Sequence, residues 1–275
     1  MPSPPNRPAY HVWDTASDYG DVLAQRALGT LPEMACARRL ATLLAPLACP
    51  GDRLLDVGCG VGHYYRSLKG RLPEPWEYCG LDATPAYVRL ATQLWWNTRP
   101  PLAFDQGDIF ALPYPEASYD TVICCNVLLH LPAIARPLSE LVRVARRRVL
   151  VRTLLSDRAF RIQELRSPER YDMDGQPLGP WNYYNIYSER YVCDTATALP
   201  GVTRVQCLDD PPEHSWTTDL TLPNASRCCE GTLDGQPLRT LVNGSILQPW
   251  KFVLMEVDHM SLAGSGSPRD TTSSE

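Results

Sequence analysis

Apolar positions along this chain change their period several times, and each change predicts an element. Over residues 15–28 and again over 32–47 they recur at helical spacing, with Leu40, Leu43, Leu44 and Leu47 on one stripe and Pro50-Gly51 as a stop. Beyond that stop, short apolar runs take over at residues 53–57, 76–81, 119–125 and 149–154, and these predict strands. Helical stretches at 63–68, 85–97 and 133–146 separate them. Strands alternating with helices of this length predict βαβ units and a parallel sheet covered by helices on both faces. In that frame Arg143, Arg146, Arg147 and Arg148 fall in the last turns of a helix, where cations meet the negative end of the macrodipole.

After Leu155 the alternation fails. Residues 156–190 are long, aromatic and turn-rich, 188–199 predict a helix, 202–208 a strand, 211–249 a second irregular insertion, and 250–257 a last, strongly apolar strand. Asp-Gly-Gln-Pro-Leu occurs at 174–178 and at 234–238, and Asp-Gly followed by Pro is turn chemistry, so two similar turns are expected. Residues 1–9 are Pro-rich and 261–275 have no apolar period, so both are expected to be disordered tails flanking one domain over 10–258.

Composition then narrows the function classes. The 275 residues carry 26 Lys and Arg against 31 Asp and Glu, a formal charge of −5, and the one basic run is accounted for by the helix end. Nucleic acid is therefore not expected as a partner. No run approaches the roughly 20 apolar residues that span a bilayer, and the first residues lack a signal peptide's apolar centre, so a cytoplasmic protein without membrane attachment is expected. The 10 cysteines show neither a Cys-x-x-Cys pair nor a Cys/His set with zinc spacing, so reduced thiols and no metal are expected, with adjacent Cys228 and Cys229 the most reactive.

The chemistry concentrates after the first strand. Leu54-Leu55-Asp56-Val57-Gly58-Cys59-Gly60-Val61-Gly62 runs from a strand into glycines at alternate positions and then a helix. Such a turn lets a ligand approach the main chain, and the helix start offers N–H donors. Asp82 ends the second strand, where a carboxylate accepts both hydroxyls of a ribose, and Asp108 closes a third βα step. All three features fall at the carboxyl ends of the strands, the edge where open α/β sheets bind ligands.

With these residues the chain resembles the class I S-adenosylmethionine-dependent methyltransferases, within the broad small-molecule group that includes the ubiquinone and menaquinone enzymes. The resemblance rests on Asp56–Gly62, Gly80-Leu81-Asp82, Gly107-Asp108 with Leu112-Pro113 behind, and Ser118-Tyr119-Asp120 running to His130. It covers about residues 50–155, with weaker agreement in element order to 258. It implies a Rossmann-like doubly wound sheet of seven strands, mostly parallel, whose antiparallel last strand (250–257) inserts between its neighbours. It also implies S-adenosylmethionine as cofactor, with Asp56, Gly58, Cys59 and Gly60 at the methionine part, Asp82 at the ribose, and Asp108 and Ile109 at the adenine. Asn126, with Val127 and Leu128, would lie beside the sulfonium. His11, Trp13 and Tyr19 belong to a segment that in this family folds over the cofactor, and a contact by Tyr19 is expected. A dinucleotide site is the rival within the same architecture, but it needs Gly-x-Gly-x-x-Gly, and here the sixth position is His63.

Methyl transfer needs alignment and water exclusion above all, and a base only when the nucleophile carries a proton. His130 is the best-placed ionisable group for a base, with a loop-positioning role as the alternative, while His63 is expected to pack. Trp181, Tyr183, Tyr184 and Tyr187 crowd one insertion and are candidates to enclose a small-molecule acceptor, although packing against the core explains them equally. The expected protein is thus a small-molecule methyltransferase, monomeric or homodimeric. The alternative is an inactive methyltransferase-fold binding or scaffold protein.

Overall fold

The computed structural model describes residues 17–99, 101–165, 168–178, 181–210, 227–233, 236–243 and 246–259. Helices α1 (Ser17–Leu28) and α2 (Ala35–Leu44) lead into β1 (Arg53–Val57), α3 (His63–Leu68), β2 (Glu77–Asp82), α4 (Pro85–Leu94), β3 (Ala103–Gln106) and β4 (Tyr119–Cys125). A single 3-10 turn, Leu128–His130, then precedes α5 (Ala135–Val144) and the long β5 (Ala145–Ser156). After β5 come β6 (Gln163–Leu165), β7 (Trp181–Tyr183), β8 (Tyr187–Ser188), α6 (Glu189–Thr197) and β9 (Val202–Asp209). The chain closes with β10 (Arg227–Leu233), β11 (Gln236–Asn243), β12 (Ile246–Gln248) and β13 (Trp250–Val257).

The main sheet runs β3-β2-β1-β4-β5-β13-β9. Its first five strands are parallel, and β13 lies antiparallel between β5 and β9, as expected of the last strand. From β1 the chain moves outward to β2 and β3, then returns to place β4 on the other side of β1. The order of strands therefore reverses between β1 and β4, and a crevice opens at their carboxyl ends.

Period-two alternation assigns side chains to the two faces. Leu55, Val57, Val122, Cys124, Val149, Val151, Val253 and Met255 pack beneath α5 and α6. Their neighbours Leu54, Ile123, Cys125, Leu150, Phe252 and Leu254 pack beneath α2 and α3. Because both faces are covered, these strands read as continuous apolar runs. On α5, Leu138, Leu141 and Val142 supply the helical stripe that meets the sheet.

Three expectations change. Helix α5 stops at Val144, so only Arg143 lies in its last turn, and Arg146, Arg147 and Arg148 open β5 instead. They are held there by carboxylates at the starts of β1 and β4: Arg146 pairs with Asp120 at 3.1 Å and Arg147 with Asp52 at 3.0 Å. Strand β3 was not singled out by the apolar pattern, because it is a short sheet edge with no fully buried side chain. The two insertions are not wholly irregular: 156–190 contains the antiparallel pair β6–β7 and β8, which joins the end of β5, while 211–249 contains the antiparallel sheet β10–β11–β12. The first Asp-Gly-Gln-Pro-Leu is a turn, whereas Gln236–Leu238 of the second begins β11 and its Asp234-Gly235 lies outside the described residues. The predicted tails at 1–9 and 261–275, His11, Trp13 and the Cys228 and Cys229 side chains also lie outside them. Among the described residues no helix is long and apolar enough to cross a membrane, and the described cysteines are free thiols.

A carboxyl group is buried inside the second face. Asp56 on β1 is 1% exposed and accepts a 2.7 Å hydrogen bond from the Tyr78 hydroxyl on β2. Burial pushes its carboxyl up to about 7, opposed by the Tyr78 bond and reinforced by the nearby Asp82.

Two outcomes follow from this packing. Phe252→Ala, at a side chain with 0% exposure, should cost about 3–5 kcal/mol in urea unfolding with little change in slope. Asp56 binds its proton more tightly in the folded than in the unfolded state, so its contribution to stability falls as pH rises from the unfolded value of 3.8 to about 7. Relative to Asp56→Asn, the wild type should lose stability across that window and stay level above it in paired pH-dependent melts.

Candidate functional site

The crevice between β1 and β4 is floored by the glycine turn. Gly58 adopts φ 77°, and a Cβ there would stand 2.2 Å from Val127 Cγ2, so no other residue fits. The N–H groups of Gly58 and Cys59 donate to the Leu81 carbonyl at 2.7 and 3.1 Å, which ties the turn to the end of β2. Asp82 completes the tie: its Oδ2 accepts from Gly60 N–H and its Oδ1 from Thr84 N–H, each at 2.8 Å. One carboxylate thus spans two loops. On the next loop Gly107 N–H donates to the Asp82 carbonyl at 3.1 Å, and Asp108 Oδ1 accepts from Phe110 N–H at 2.9 Å.

A cavity opens above these loops. Its described wall includes Gly58, Gly60, Asp82, Asp108, Ile109, Asn126, Val127 and His130 from the carboxyl ends of the strands, with Tyr19, Leu23 and Arg26 from α1 closing over them. The structure therefore brings most of the predicted cofactor residues, and Tyr19, to one space. Burial and the neighbouring Arg26 act on the Tyr19 hydroxyl in opposite directions, burial prevailing, so its pKa is raised.

Asp56 and Cys59 are not in that wall. Asp56 lies under the turn on Tyr78, and the Cys59 thiol, 0% exposed, fills the space left by the missing side chain of Gly80. The four aromatic candidates, Trp181, Tyr183, Tyr184 and Tyr187, are also absent from it, because their insertion packs behind the Leu128–His130 turn. Trp181 and Tyr183 pack edge to face at 4.7 Å, Arg161 donates to the Tyr183 hydroxyl at 2.8 Å, and the Tyr187 hydroxyl donates to the Leu128 and Leu131 carbonyls at 3.2 Å. Tyr184 stands 5.9 Å from the His130 ring.

Their backbone nevertheless reaches the site. His130 Nδ1 lies 2.8 Å from the Tyr183 carbonyl, and a carbonyl only accepts, so the Nδ1 carries the proton and Nε2 is the lone-pair nitrogen of the neutral ring. Burial lowers the His130 pKa below its usual value, which keeps the ring neutral.

Residues that the motif reading passed over also line the cavity. His63, expected to pack, contributes to this wall a buried Nδ1 with no hydrogen-bond partner among the described residues, and burial pushes its pKa down to about 3. Arg26 is the one cation among the described lining residues. The spacing of Tyr19, Leu23 and Arg26 on one helical face was a signal that could have grouped them.

Comparison with known proteins agrees with this geometry. Residues 55–151 match the family described as "Methyltransferase domain". The demethylmenaquinone methyltransferase of Deinococcus radiodurans is 35% identical over 106 residues, which are 38% of this chain and 44% of the relative. The chain thus spans less than half the length of the curated relatives it matches. Among solved structures, the YcgJ protein of Bacillus subtilis shares the fold with a TM-score of 0.51 at 18% identity, covering 82% of this chain and 99% of that one. The magnesium protoporphyrin IX methyltransferase of Synechocystis, solved with bound SAM, shares it with a TM-score of 0.53 at 14% identity, covering 92% and 99%. A glycine turn, a loop-spanning carboxylate and a matching segment that contains both lead to one statement: over residues 55–151 the chain is similar to the methyltransferase domain family.

Proposed function

We propose that this cavity binds S-adenosylmethionine and that the protein transfers its methyl group to a small-molecule acceptor. The observation that carries the reading is Asp82, whose two oxygens are held by Gly60 and Thr84 N–H groups in the wall of the cavity. When bound, the cofactor supplies a methyl group already activated by a sulfonium charge. The protein's part is to hold, align and keep dry.

Asp82 would accept the ribose hydroxyls, Asp108 the adenine amino group, and Ile109 would cover the ring. Gly58 and Gly60 leave room for the methionine part, Asn126 and Arg26 offer it donors, and Tyr19 closes the cover. In this reading Asp56 and Cys59 serve from beneath, by supporting the turn. The neutral residue types around the reacting end suit a cationic centre that must not be hydrated. His130, with Nδ1–H committed to the Tyr183 carbonyl, is the group that takes a proton at Nε2 when the nucleophile is a hydroxyl or an acidic carbon. The aromatic insertion then shapes acceptor choice by setting the position of the Leu128–His130 turn. The net charge of −5 favours a small molecule over nucleic acid, and the reading takes the domain as a cytoplasmic monomer or homodimer spanning 10–258.

Thermal shift with S-adenosylhomocysteine at about 100 times its dissociation constant should add roughly 2.7 kcal/mol of stability, and no shift would overturn the proposal. Asp82→Ala should abolish most of that shift, because it removes charge-assisted hydrogen bonds to the ligand and loosens Gly60. An undiminished shift would refute the ribose assignment. His130→Ala should leave S-adenosylhomocysteine affinity unchanged while turnover of a proton-bearing acceptor falls by about 10²–10⁴. The acid limb of the wild-type kcat/KM profile should lie below the ordinary histidine value of 6.5, and a limb above it would argue against His130 as base.

A further inference from the structure

Arg152 on β5 is 5% exposed, sits beside Cys125 of β4 and Phe252 of β13 in register, and lies just beyond the segment that matches the methyltransferase family. Its Nε and Nη2 each stand 2.6 Å from Asp210 Oδ2, and its Nη1 donates to the Asn126 side-chain oxygen at 2.6 Å. The Trp250 ring covers the guanidinium at 4.0 Å. The backbone joins the same arrangement: Asn126 N–H donates to the Arg152 carbonyl at 2.9 Å, and Asn126 holds φ 63°.

A guanidinium has donors only, so it decides which way the Asn126 amide faces. The amide oxygen is committed to Arg152, and the nitrogen is left toward the cavity, where it lies 3.2 Å from the Tyr64 hydroxyl. An amide nitrogen has two hydrogens, so one remains for a ligand. Asn126 therefore enters the cavity as a donor beside Tyr64, in a wall that also holds Arg26. A donor backed by a buried guanidinium, in a wall that also carries a cation, recognises an anionic oxygen.

We propose that Arg152 and Asp210 are positioning residues that fix Asn126 as a hydrogen-bond donor to the carboxylate of the cofactor's amino-acid end. The inference rests on the function proposed above. Asp210 and Trp250 also delimit the 211–249 insertion, and Asp210 N–H donates to the Trp250 carbonyl at 3.3 Å. The stem of the insertion is thus connected to the cavity wall through one buried arginine.

Asn126→Asp separates this role from a structural one. A carboxylate keeps the partnership with Arg152 and tolerates a left-handed backbone, but it has no N–H to give. Its ligand-free melting temperature should be unchanged or higher, while S-adenosylhomocysteine affinity measured by calorimetry falls about tenfold or more. Affinity for 5′-methylthioadenosine, which lacks the amino-acid end, should stay the same. Arg152→Lys, which cannot serve both partners in one plane, should also weaken S-adenosylhomocysteine, and Asp210→Asn should do so to a smaller degree. In the Asn126→Asp background, Arg152→Lys should cost nothing further if it acts through Asn126. Unchanged affinity in Asn126→Asp, an equal loss for 5′-methylthioadenosine, or full additivity of the two substitutions would overturn the proposal. If the wild type binds neither compound, it is the underlying function that fails.

Discussion

The site depends on one carboxylate. Asp82 ends β2, yet its two oxygens hold Gly60 on the turn after β1 and Thr84 on the turn after its own strand. A buried carboxylate must be hydrogen-bonded to keep its charge, and main-chain N–H groups do this without adding a countercharge that would compete for a ligand. The glycine turn is thereby fixed in position even though its residues carry no side chains of consequence. Its backbone bonds to Leu81 repeat the same tie one residue earlier.

The sheet separates two kinds of electrostatics to its two edges. At the amino ends of β1 and β4, Asp52 and Asp120 are paired with Arg146, Arg147 and Arg148, which closes that edge with mutually neutralised charge. At the carboxyl ends that face the cavity, Asp82 and Asp108 accept backbone donors and Asp56 a tyrosine hydroxyl, Arg26 is the one described cation in the cavity wall, and the Arg152–Asp210 pair lies behind Asn126. A ligand that carries both a positive centre and a carboxylate suits that distribution. The strand-order reversal between β1 and β4 provides the space, because the loops leaving those strands diverge there.

The insertion at 156–190 acts on the cavity at second hand. Tyr187 and Asn185 bond to the carbonyls of the Leu128–Leu131 segment, and the Tyr183 carbonyl sets the tautomer of His130. Rings that a composition reading would send to a substrate brace the turn whose His130 lines the cavity. Packing decides this: the β6–β7 ribbon and the chain that follows it lie against the Leu128–His130 turn, and their aromatic residues cover it.

Much of the architecture was legible in the chain. Period-two runs between helical stretches determined a parallel sheet covered on both sides, and the glycine turn with Asp82 and Asp108 determined which edge would hold the site, because these are local properties of strands and turns. Strand β3 was not legible, since an exposed edge carries no apolar signature, and neither was the passage of α5 directly into β5, since Arg146–Arg148 satisfy a helix end as well as a strand start. What only the tertiary structure decided were relations between distant residues: that Asp56 turns beneath the floor to Tyr78, that the aromatic insertion lies behind the wall, that α1 brings Tyr19 and Arg26 over the cavity, and that Arg152, Asp210 and Asn126 meet. The physical reason is that a side chain's chemistry is local, whereas its direction, its burial and its partners are set by which elements the sheet places side by side.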